Sequence, residues 1–147
     1  MARMRLFATV VLVSVAATAQ ARSPVPIVNY NWPIVAPSGR VVTDGDVRNA
    51  IIRAAASLGW TLVPDGDKKF VATLVVRNKH TVVADVTYSA EKYSVVYKSS
   101  INMKYGVDDG VPVIHPFYND WARTFAEGIR NEIVRAEPIR APATTGG

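Results

Sequence analysis

Alternating apolar and polar positions dominate the middle of the chain, in three runs at residues 70–77, 81–88 and 93–100. In the second run Val82, Ala84, Val86 and Tyr88 share one face, and Thr81, Val83, Asp85 and Thr87 share the other. A half-buried strand requires this period of two. The third run divides into Tyr93, Val95, Tyr97 and Ser99 against Ser94, Val96, Lys98 and Ser100. The polar stretch Ser89-Ala90-Glu91-Lys92 between them suits a hairpin loop. Setting Tyr88 opposite Tyr93 brings Val86 opposite Val95 and Ala84 opposite Tyr97. A slip of one residue would set apolar positions against Ser and Lys, so the pattern selects this register. The first run adds Phe70, Ala72, Leu74 and Val76 to the same face if Asn78-Lys79-His80 forms a three-residue loop. That register sets Asp85 across from Thr73 and diagonal to Lys98.

Helical spacing flanks these strands. Thr43 and Asp46 form an approximate capping box. Val47, Ala50, Ile51, Ala54 and Leu58 then make one apolar stripe, closed by Gly59. Residues 60–63 read as a short strand, and Pro64 confines it to a sheet edge. A second helix starts at His115-Pro116, with Tyr118, Trp121, Ala122, Phe125, Ile129 and Ile133 as its core stripe. Truncating Trp121, as a buried anchor, should then cost about 3–5 kcal/mol. Residues 101–114 show no clean period and read as an irregular connection, a plausible rim for a binding site. Residues 23–38 hold four prolines among Ile27, Val28, Tyr30, Trp32, Ile34 and Val35. They predict an extended arm packed on the domain, with an edge strand near residues 26–30; the alternative is a tether that docks on another protein. The expected fold is α+β, a four-stranded antiparallel sheet with two helices packed on one face.

The N-terminus changes the setting. Arg3 and Arg5 precede an apolar run at residues 6–17, and Ala19-Gln20-Ala21 follows as a small-x-small site. This is the pattern of a secretory signal peptide, with an uncleaved membrane anchor as the competing reading. The expected organisation is residues 1–21 as signal peptide, 22–42 as extended arm, 43–136 as a compact α+β domain, and 137–147 as a disordered tail. The chain has no cysteine, so neither disulfides nor a lipidation site operates. Removing the leader lowers the formal net charge from +5 to +3, too mild to argue for nucleic acid. A periplasmic or secreted protein of the bacterial envelope is expected.

Candidate chemistry is sparse. The two histidines, His80 and His115, lie outside any tight metal-ligand motif, and neither a metal nor another cofactor is expected. The serines lack a nucleophile motif, and no Gly-rich phosphate loop follows a strand. Two candidate surfaces remain. One is a pocket of Tyr97, Asn102, Tyr105 and His115, where the irregular connection returns to the sheet. The other is the polar sheet face with Thr73, Arg77, Asp85 and Lys98. A structural histidine, an ion pair at Asp85 and core-packing tyrosines are the bland accounts of these residues.

The segment Tyr93-Ser94-Val95-Val96-Tyr97-Lys98-Ser99-Ser100-Ile101-Asn102-Met103-Lys104-Tyr105, followed by Ile114-His115-Pro116-Phe117-Tyr118-Asn119-Asp120-Trp121, resembles a family of small uncharacterised exported bacterial proteins. Many members of that family are classed as lipoproteins. The resemblance runs from about residue 46 to 133 and implies no reaction and no catalytic residue. The missing lipidation cysteine departs from the lipoprotein members. The expected function is a noncatalytic bacterial envelope binding or structural module. Its partner would be an envelope protein or, second, a cell-wall or lipid component. The alternative is a small envelope hydrolase with a polar site near His115.

Overall fold

The computed structural model describes residues 22–37 and 39–136. The expected signal peptide and C-terminal tail lie outside the described residues. In chain order the elements are β1 (Val25–Pro26), β2 (Tyr30–Pro33), α1 (Asp44–Leu58), β3 (Thr61–Pro64), β4 (Lys69–Val76), β5 (His80–Tyr88), β6 (Lys92–Ile101), β7 (Gly106–Asp108), β8 (Val111–Ile114) and α2 (Phe117–Arg135). They form two antiparallel sheets: a five-stranded sheet in the order β2-β6-β5-β4-β3, and a three-stranded sheet in the order β1-β8-β7. The class is α+β, but the expectation of a single four-stranded sheet is corrected.

The arm supplies the extra edge strand. β2 pairs with β6 through Tyr30 opposite Val95 and Trp32 opposite Tyr93. Pro33 is tolerated because it occupies a sheet edge, where no ladder donor is needed on one side. β1 pairs instead with β8, so the arm crosses from one sheet to the other between Pro26 and Tyr30. Side-chain amides satisfy the backbone at this crossing. Asn119 Oδ1 accepts from the Val28 N–H at 3.0 Å, and its Nδ2 donates to the Pro26 carbonyl at 2.8 Å. Asn29 Oδ1 accepts from the Tyr97 N–H at 2.9 Å.

The β5–β6 register follows the alternation, with Tyr88 opposite Tyr93, Val86 opposite Val95 and Ala84 opposite Tyr97. A shift between Val83 and Ala84 then leaves Lys98 as the extra residue of a bulge. The β4–β5 pairing differs from expectation. Its three-residue connection is Arg77-Asn78-Lys79, one position earlier, and Asp85 faces Val71 rather than Thr73. Both registers put the same residues inward, so alternation does not distinguish them. Turn geometry does. Arg77 and Asn78 take positive φ, the signature of a type I′ turn, and the Lys79 N–H bonds the Val76 carbonyl at 3.1 Å.

Both helices cover the face that presents Phe70, Ala72, Val82, Ala84, Val86, Tyr93 and Val95, all buried. Thr43 caps α1, with its hydroxyl accepting from the Asp46 N–H and the Asp46 carboxylate accepting from the Thr43 N–H. Gly59 ends α1 in the left-handed conformation. Asp44 ties the helix start to the β5–β6 loop by accepting from the Ala90 N–H at 2.6 Å. On α2, Tyr118, Ala122, Phe125, Ala126, Ile129 and Ile133 are buried. Trp60 stacks on Phe125 at 4.9 Å, and Tyr93 donates its hydroxyl to the Ala126 carbonyl at 2.7 Å. Burial pushes the Tyr93 hydroxyl well above the ordinary phenol range. Gly128 allows close helix contact: a Cβ there would lie 3.0 Å from Leu58 Cδ1.

Two further expectations are corrected. Residues 106–114 are a hairpin, β7 against β8, turned by Asp109 and Gly110, both at positive φ. Trp121 is only partly buried. It sits on the flank of the α2 stripe rather than at its centre, and helical spacing alone does not separate flank from centre.

Candidate functional site

The four expected pocket residues separate into two places. Tyr97 and Tyr105 stack nearly parallel, 5.3 Å apart, and Tyr97 also meets Tyr118 edge-on at 5.2 Å. They line a cleft of about 250 Å³ with Ile27, Asn29, Val111 and Pro112, between the two sheets. Asn102 and His115 are not among its walls. Asn102 is used locally: its Nδ2 donates to the Lys79 carbonyl at 3.2 Å, and its own carbonyl meets His80 Nδ1 at 2.7 Å. Because a carbonyl only accepts, His80 carries its proton on Nδ1. His115 has the opposite tautomer. Its Nδ1 accepts from the Phe117 N–H at 3.2 Å. Burial, followed by its electrostatic neighbours Lys104, His80 and Arg22, lowers its pKa below the usual histidine value.

The polar sheet face is charge-compensated. Lys98 and Lys69 place ammonium groups 3.2 and 3.5 Å from the same Asp85 oxygen, and Lys69 also meets Asp65 at 2.9 Å. Thr73 stands between Thr61 and Val83 in neighbouring strands. Exposed pairs of this kind contribute little individually. Arg77 does not belong to this group; it lies in the β4–β5 turn.

Sequence reasoning missed the groove that this turn forms with the start of α2. Its walls are Val76, Arg77, His80, Phe117 and Trp121, and its volume is about 280 Å³. Phe117 and Trp121 are one helical turn apart, with rings 5.8 Å apart. Phe117 is 42% exposed, a large value for an aromatic residue. Its ring contacts His115 at 4.7 Å on one side, and the Arg22 guanidinium lies over it at 5.1 Å. Lys104 Nζ reaches the Arg22 carbonyl at 3.4 Å. The groove is therefore aromatic inside and basic at its rim. The available signal was Phe117 and Trp121 at i, i+4, offset from the Tyr118–Ala122–Phe125 stripe.

The groove offers apolar contact, cation–π capacity and a partner for negative charge. Among the described residues no cluster of three His, Asp or Glu could hold a metal, and no helix is long and apolar enough to cross a membrane. No model of a known protein family matches the chain, and no curated protein matches it in sequence.

Proposed function

We propose that this chain is a noncatalytic binding module of the bacterial envelope, with the Phe117–Trp121 groove as its contact site. The envelope setting rests on the leader pattern of residues 1–21. The binding role rests on one observation: α2 fills the core with one aromatic stripe and carries exposed Phe117 and partly buried Trp121 on its flank, along an open groove beside Arg77 and His80. Aromatic rings with accessible surface and a nearby cation are typical of recognition surfaces. A hydrolase built on His115 is the competing reading. Against it, His115 Nδ1 is engaged by the Phe117 N–H, and among the described residues no carboxylate hydrogen-bonds the ring.

Co-sedimentation with an isolated envelope fraction separates the two. The chain without residues 1–21 should pellet with that fraction, and His115→Asn should pellet equally well. The double variant Phe117→Ala/Trp121→Ala should stay in the supernatant while retaining a cooperative unfolding transition. Retention of the double variant in the pellet would overturn the groove as contact site. Hydrolysis of an envelope component that His115→Asn abolishes would overturn the noncatalytic reading.

A further inference from the structure

Basic side chains gather at the end of the molecule that carries the groove. Arg77 forms one wall, and Lys79 follows it in the same turn. Lys79 is held near the start of the irregular segment through its carbonyl bond from Asn102. On the other side Arg22 covers Phe117 and is linked to Lys104. All four of these residues are exposed. The nearest α2 carboxylate, Asp120, is exposed and already faces Arg123 at 4.0 Å. Ile101, 67% exposed, ends β6 beside Asn102. Apolar and aromatic surface is therefore ringed by positive charge at one pole. At the β-sheet face, by contrast, Asp85 compensates Lys69 and Lys98. The chain also enters the fold at this pole: residues 1–21, with their apolar run, join it at Arg22.

Resting on the binding-module reading above, we infer that this pole docks on the surface of an anionic phospholipid bilayer. Arg22, Arg77, Lys79 and Lys104 meet the headgroup phosphates, and Phe117 and Trp121 enter the interfacial layer. Two features select this occupant. Among the described residues no carboxylate pairs with these four cations, and their charge is complementary to an anionic surface. Aromatic rings with basic neighbours favour the headgroup level, where one side of the contact is apolar and the other wet. A leader at residues 1–21, if kept, would join the fold at this same pole.

The test uses sedimentation of vesicles with the chain lacking residues 1–21. Vesicles of phosphatidylglycerol and phosphatidylcholine should retain the protein at low salt, and pure phosphatidylcholine vesicles should not. Arg77→Glu, Lys79→Glu and Lys104→Glu lie at exposed positions and should fold normally. Each should weaken partitioning at least about fivefold, with Phe117→Ala/Trp121→Ala weakening it further. Equal binding to neutral and anionic vesicles, or unchanged binding of the charge variants, would overturn the proposal. Binding to the whole envelope fraction without binding to anionic vesicles would transfer the groove to a protein or glycan partner; the lipid inference then fails while the module reading stands. Absence of binding to both preparations would remove both.

Discussion

Two aromatic pairs involve the first three turns of α2 and have different surroundings. Phe125 stacks on Trp60 at 4.9 Å, and Trp60 is only 6% exposed. Phe117 and Trp121 lie 5.8 Å apart at the helix start and border an open groove. Residue type does not distinguish them, since each pair is one Trp and one Phe. Orientation does. Phe125 is fully buried in the core, whereas Trp121 lies on the flank of the stripe, near the β4–β5 turn. The first pair supports the fold. The second leaves Phe117 exposed and Trp121 partly buried along an open groove.

Mutation should separate the pairs most clearly by stability. Phe125→Ala should lose about 3–5 kcal/mol in denaturant unfolding, and Trp121→Ala less, about 1–2 kcal/mol, because its partly buried ring borders an open groove and leaves no closed cavity. Equal losses would erase the distinction. Next in size is Asn119→Ala, between Phe117 and Trp121 on the helix. It removes both amide bonds to the arm and should cost about 1–3 kcal/mol, with faster amide exchange at Val28. Exchange at Val28 unchanged from wild type would mean that the arm is held otherwise.

Acidification probes the groove side. The fold holds His115 below the free-histidine pKa of about 6.5, so the unfolded chain takes up its proton first. The stability present above about pH 6.5 should therefore decline as pH falls through that value and toward the folded pKa. Protonation also removes the acceptor for the Phe117 N–H, loosening the start of α2. His115→Asn should flatten the unfolding midpoint between pH 7 and 5. The lowered carboxylates of Asp44, Asp46 and Asp65 have unfolded values near 4 and act mainly below this window. An identical pH slope in His115→Asn would contradict the assignment.

The smallest effect is expected inside the core. The Tyr118 hydroxyl is buried and bonds no described protein group. Tyr118→Phe should be neutral or slightly stabilising, within about 1 kcal/mol, because it removes a buried polar atom with no protein partner. A larger loss would reveal a bond to that hydroxyl.

The central hairpin was legible because Tyr88, Val86 and Ala84 must all turn inward together with Tyr93, Val95 and Tyr97. The capping box at Thr43 and the αL glycine at 59 were equally local signals. The arm strands were only half legible. Pro26 and Pro33 argue against a central strand, and their actual partners lie about 60 to 90 residues away. Asp109-Gly110 carries the turn chemistry of the β7–β8 hairpin, but its flanking strands are too short to show alternation. The candidate site was the least legible part. Tyr97 and Tyr105 do meet, but Asn102 and His115 lie elsewhere, because a bulge at Lys98 and left-handed residues at Asn102 and Lys104 redirect the chain. The groove joins a hairpin turn to a helix flank, a juxtaposition that no single segment encodes.

The role assigned to the second aromatic pair is tested most directly by tryptophan fluorescence. One variant, Trp32→Phe/Trp60→Phe, retains Trp121 as its sole tryptophan; another, Trp32→Phe/Trp121→Phe, retains Trp60. In the free protein a soluble quencher should reach Trp121 and leave Trp60 largely protected. Adding the envelope fraction should shift Trp121 emission to the blue and shield it, with Trp60 unchanged. A Trp121 that is protected in the free protein, or indifferent to the envelope fraction, would contradict the account.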